Sequence, residues 1–156
     1  MPQLRGPGGL GVGDTTDRST TQKVPLGFVA YDNLGNSWRY IKAGATIALN
    51  DYLRFQGSAL GWDDVRPTSA AAQPVVGLNP SAAEGGAAFA TGEYGFALVD
   101  GVGSGKTAGA VAANVQLVSS ATAGQLAAYA NTDITAPVVT VLVNSASPQV
   151  TRVKGL

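Results

Sequence analysis

The sequence predicts an all-β fold: a small β-sandwich or barrel of short antiparallel strands, with little helix and an extended N-terminal arm. Three observations predict it. Short apolar runs recur along the chain, and Gly, Pro, Asn or Asp separates most of them. The clearest run, Ser37–Lys42, alternates, with Trp38, Tyr40 and Lys42 on one face and Arg39 and Ile41 on the other. Glycine is frequent, at 21 of 156 residues, and the Ala-rich pieces lack a sustained helical period. Many short strands at this spacing read as a sandwich or barrel.

The elements follow in order. Residues 1–23 read as the arm. Gly6, Gly8, Gly9, Gly11 and Gly13 precede a polar stretch from Asp14 to Thr21, with almost nothing to bury. Such a segment cannot offset its own ordering entropy. If ordered, it lies along a neighbouring subunit or partner, or is pinned to its own domain. Its apolar and cationic side chains, Leu4, Arg5, Leu10, Val12, Arg18 and Lys23, are the candidate partner-binding residues. Residues 24–156 read as a single β-rich domain, since 156 residues suffice for one core and hardly for two.

Within that domain the strand-like runs are 26–31, 37–42, 46–49, 52–55, 75–78, 95–99, 115–118, 138–143 and 149–153. A turn at Asp32-Asn33-Leu34-Gly35-Asn36 closes the first. Residues 67–73 and 121–129 have room for one or two helical turns each, although Gly124 weakens the second. Residues 43–53 also resemble 108–117, so two related strand–turn–strand units are one reading of the core, and chance likeness in Ala/Gly-rich sequence is the other.

Composition bounds the chemistry. The chain contains no histidine and no cysteine. Ser-His-Asp and Cys-His nucleophile systems, disulfides and iron–sulfur clusters are therefore excluded. Most zinc and copper sites lose their usual ligands too. Charged residues are 13% of the chain, about half the roughly 25% of ordinary domains, and net charge is zero. A balance of that kind argues against phosphate-driven nucleic-acid binding. It suits a chain whose surface is covered within an assembly. The N-terminus lacks the apolar core of a signal peptide, and no run reaches the 18 or so apolar residues of a spanning helix, so no membrane partner is expected.

Four motifs invite a chemical reading. Asp100-Gly-Val-Gly-Ser-Gly-Lys106-Thr107 resembles a phosphate-binding loop, but Asp100 stands where that loop needs its first glycine, and a carboxylate there repels phosphate. A glycine-rich hairpin loop is the expectation. Asp63 and Asp64 are adjacent, a poor spacing for an acid–base pair, and read as a surface turn before Arg66-Pro67. Beside Trp62 they also admit a sugar-binding reading. Asp14 and Asp17 with threonine hydroxyls lack the alternating pattern and closing Glu of a calcium loop. Ser104 and Lys106 have no supporting context as a dyad. Trp38, Tyr40, Tyr52, Phe55 and Trp62 are expected in the core. No catalytic, cofactor or metal residue is assigned.

Four phrases then recur in a familiar order: Trp38–Asn50, Val75–Leu78, Thr91–Gly101 and Gln116–Gly124. Over about residues 36–145 the chain resembles the small capsid decoration, or cement, proteins of tailed bacteriophages. In those, a Tyr-Ile/Val-Lys-Ala-Gly strand, a Val-Gly strand, a Gly-Glu-Tyr-Gly strand and an Ala-Gly turn follow one another. The resemblance implies a compact β-domain on the outer face of the head shell. It would sit at junctions between capsomers, often as a trimer, bound to the major capsid protein. It further implies a non-catalytic virion protein made in the host cytoplasm. Another virion β-module, such as a head-fibre base, a tail domain or a carbohydrate-binding domain, is the alternative, and a carboxylate glycosidase is a third reading.

Overall fold

The computed structural model describes residues 3–9, 11–56, 61–71, 73–111, 115–128, 139–141 and 149–154. It is all-β and mostly antiparallel, as the sequence predicts, and the sheet does not close into a barrel. Thirteen strands run in chain order: β1 (Gln3–Arg5), β2 (Gly11–Asp14), β3 (Arg18–Ser19), β4 (Val29–Tyr31), β5 (Ser37–Lys42), β6 (Tyr52–Phe55), β7 (Val65–Pro67), β8 (Gly77–Leu78), β9 (Tyr94–Thr107), β10 (Gln116–Ser119), β11 (Gln125–Ala128), β12 (Val139–Val141) and β13 (Gln149–Lys154). Two single 3-10 turns, Pro7–Gly9 and Ala82–Glu84, are the helical content among the described residues.

The strand β9 is the hub. The main path of the sheet is β11-β10-β12-β13-β9-β5-β4-β1-β2. β3 and β8 also pair with β9, and β8 links the β6–β7 hairpin to the sheet. A short parallel pairing joins Gln125 and Leu126 of β11 to Lys106 and Thr107 of β9.

Alternation along β5 and β9 builds cores on both faces. Trp38, Tyr40, Phe96 and Leu98 enter one cluster with Leu4, Ala30, Tyr52, Leu78, Leu117 and Leu126. Their neighbours Ile41 and Ala97 enter the other, with Ile47, Leu53, Val65 and Phe89. β6 divides in the same way, Tyr52 to the first and Leu53 to the second. A central strand covered on both sides cannot alternate apolar with charged residues, which explains the continuous apolar run from Phe96 to Val99.

The runs 37–42 and 52–55 coincide with β5 and β6, and 149–153 with most of β13. Other expectations are corrected. The run 26–31 forms a strand only over Val29–Tyr31, because Gly27 takes φ +77° and Phe28 N donates to Pro25 O in a turn. The run 46–49 forms only a bridge between Ile47 and Phe89, since Asn50 turns the chain at φ +67°. Residues 67–71 contain no helix, and Gln125–Ala128 is a strand. The glycine-rich stretch 100–107 is not a hairpin loop but the second half of β9, paired with β13 over residues 100–105 and with β11 at Lys106 and Thr107. Glycine is needed there for packing: a Cβ on Gly105 would lie inside the Tyr52 ring, and one on Gly103 would press on Leu78 and Leu98.

Of the two readings of the N-terminal segment, residues 3–9 and 11–23 follow the one in which it is pinned to its own domain. Leu4 is fully buried, β1 pairs with β4, and β3 pairs with β9. This segment therefore contributes to the core of its own chain. A three-residue strand carries one inward side chain, too short a pattern for periodicity to reveal.

Candidate functional site

The candidate partner-binding residues are dispersed. Leu4 is corrected outright as a contact residue, because its side chain is enclosed in the first core. Val12 is half-buried against the same core. Leu10 lies outside the described residues. Arg18 is turned inward, with its guanidinium 3.6 Å above the Phe89 ring, a cation–π contact. Its Nη1 donates to Thr15 O at 3.0 Å and Asp17 O at 2.9 Å, and Nη2 to Ala87 O at 2.7 Å. Burial lowers its pKa to about 10, against the opposing pull of Glu93 and Asp17. Of the described candidates only Arg5 and Lys23 are exposed, and Lys23 N donates to Tyr40 Oη at 3.0 Å. An open groove of about 440 Å³ lies at β1 and β2, lined by Gln3, Leu4, Arg5, Asp14 and three glycines.

The motifs with a chemical reading are occupied structurally. Lys106 Nζ donates to Asp51 Oδ1 at 2.7 Å, and Asp51 Oδ2 accepts from Ala48 N at 2.8 Å. The lysine that a phosphate loop would present is thus engaged by a buried carboxylate of the turn before β6. Asp64 holds Arg66 through two contacts, Nε–Oδ1 at 2.7 Å and Nη2–Oδ2 at 3.2 Å, while Asp63 is exposed. The hydrogen bond to Asp64 raises the Arg66 pKa. Asp14 Oδ1 accepts from Thr16 N and Oγ1, and Asp17 Oδ2 accepts from Asp14 N, closing the turn into β3. Among the described residues no group of three carboxylates is arranged to hold a metal ion.

Two carboxylates that sequence reasoning passed over organise the fold. Asp32 accepts from Leu34 N, Asn36 N, Asn36 Nδ2 and the Trp38 indole Nε1 at 2.8–3.0 Å. An Asp at the head of a Gly-containing turn is the available signal for it. Glu84 accepts from Ser81 N and Oγ and from Ser104 N and Oγ at 2.7–3.2 Å, tying the turn after β8 to β9. Partial burial would raise its carboxyl, but these hydrogen bonds outweigh it and leave the group below its ordinary value. The Ser81-x-x-Glu84 spacing, a capping-box signature, is the signal here.

The expected core aromatics divide by depth. Trp38, Tyr40 and Tyr52 are buried. Phe55 and Trp62 are half-buried and meet edge to face at 4.7 Å, with Arg39 over Trp62 at 5.1 Å. What remains open is apolar surface at the opposite end of the sheet: Tyr31, Leu34 and Val102 are 51%, 77% and 47% exposed.

No protein-family model matches the chain, and no curated protein matches it.

Proposed function

We propose that the chain is a structural, non-catalytic virion protein. In this reading it is made in the host cytoplasm and seats as a homo-oligomer, a trimer foremost, on the outer face of a tailed-phage head shell. There it bridges neighbouring copies of the major capsid protein. One observation carries the reading: the phrases of the resemblance fall in order on the elements that build the sheet. They are β5, β8, β9, β10 and the turn at Gly124. A second supports it. Asp32, Asp51, Asp64, Glu84, Arg18 and Lys106 are each engaged in holding the fold, so these groups serve structure rather than chemistry.

The physical effect is burial of surface against a lattice. A partner that binds the closed shell and not its opened form stabilises the closed form by mass action. Attachment sites of standard size bury about 1,600 Å², and repetition over the shell multiplies a modest gain per site. The test is cosedimentation of the purified chain with shells that lack it. Saturable attachment at a fixed ratio to the capsid protein is expected. Absence of attachment at concentrations up to tens of micromolar would contradict the reading.

A further inference from the structure

We infer that residues 11–23 form a strap that opens off the sheet while the rest of the fold stays closed, with Arg18 as its latch and Gly95 as its seat. The strap comprises β2, the turn from Asp14 to Asp17, and β3. Among the described strands β2 pairs with β1 alone, and β3 meets β9 only through Arg18 to Gly95 and Ser19 to Tyr94. By contrast β5 and β13 each follow β9 over six positions. The turn is closed by its own groups, Asp14 N donating to Asp17 Oδ2 and Asp17 N to Asp14 O, so it moves as a unit. Gly8 and Gly9, both at φ +79°, stand before the strap, and the exposed residues 20–23 end it. β1 does not belong to it, because Leu4 is enclosed in the first core.

Arg18 spans the join. Its guanidinium lies over Phe89 and donates to Ala87 O, both in the body, while its other bonds return to Thr15 O and Asp17 O in the strap. This latch holds at a cost, since burial opposes the charge and Nε has no partner among the described residues. Gly95 is an independent mark of the same join. A Cβ there would come within 2.8 Å of Arg18 Nη1 and of Asp17 O. Gly95 is not among the glycines at positive φ, so its own backbone does not call for glycine. The close approach of the strap does.

Beneath the strap Tyr40 stacks on Tyr94 at 6.2 Å and meets Phe96 edge to face at 5.1 Å. A cavity of about 10 Å³, the size of one water, is lined by these rings together with Val12, Arg18 and Val24. The far end is pinned by Lys23 N on Tyr40 Oη. Few ladder bonds, a costly latch and a void under the lid place this segment at the low-stability end of the fold. Its opening uncovers the aromatic rings while β5 and β13 keep their pairing with β9. The inference does not depend on the head-shell reading, since it concerns the isolated chain.

Native-state hydrogen exchange of the full chain, read amide by amide, tests it. The protected amides of β2 and β3 should share one opening equilibrium, about 10-fold or more above that of β5. Arg18→Ala, which removes the latch, and Gly95→Ala, which wedges the seat, should each raise exchange in β2 and β3 by a further 10-fold or so and leave β5 unchanged. β2 and β3 opening at separate rates, or only in step with β5, would overturn the proposal. So would exchange in the strap that is indifferent to both variants.

Discussion

Trp38 shows how a single position joins core and turn. Its ring is 1% exposed in the first core, and its indole N–H donates to Asp32 at 3.0 Å. Trp38→Ala should cost about 3–5 kcal/mol of folding stability in denaturant titrations. Trp38→Phe, which keeps most of the packing, should cost about 1–3 kcal/mol for the lost bond to a buried carboxylate. Glu84 gives a pH signature. Its carboxyl lies below its ordinary value in the fold, so its contribution is present above the unfolded value and lost as pH falls through the folded one. Glu84→Gln should therefore lower the melting temperature near neutral pH, and the gap from the parent should narrow as pH falls below the ordinary glutamate range. A gap independent of pH would show that the hydrogen bonds to Ser81 and Ser104 do not favour the charged form.

At the scale of elements, β9 and the N-terminal strands separate what sequence shows from what it hides. Ser37–Lys42 was legible because alternation over six residues fixes both faces of a strand, and Trp38 and Tyr40 duly fill the first core. The second half of β9 was not, because glycines at 101, 103 and 105 read locally as a loop. Gly103 and Gly105 are required by the packing of Leu78, Leu98 and Tyr52, and Gly101 by the approach of Asn36, all distant in sequence. The pairing of Lys106 with Asp51 spans 55 residues and leaves no local trace. Lys106→Met should lower the melting temperature by leaving that carboxylate buried without its cation. Magnesium-ATP should shift neither parent nor variant, and a shift lost with Lys106 would restore the phosphate-loop reading. For the first strands, Leu4→Ala should cost about 2–5 kcal/mol, and deletion of residues 1–23 should lower the melting temperature. A deletion that melts like the parent would return this segment to the status of a free arm.

Over the whole molecule, composition excluded much chemistry at once, and the strand spacing was enough for the all-β class. The candidate contact residues were less legible. Leu4 and Arg18 stand in a polar, glycine-rich context but are drawn inward by Ala30, Trp38 and Phe89, which lie far along the chain. The exposed side chains Tyr31, Leu34 and Val102 belong to β4, the turn after it and β9, so no local pattern marks them together. A sheet with two cores, carboxylates engaged in turns, and exposed apolar side chains at Tyr31, Leu34 and Val102 suits a molecule that acts by burying surface. The central claim is that its contribution is made in the assembly. The most direct measurement is the temperature at which head shells open, with the protein absent and with the purified chain added back. The account predicts that shells form without it, open at a lower temperature, and recover when it is restored. Shells that open at the same temperature with and without bound protein would contradict it.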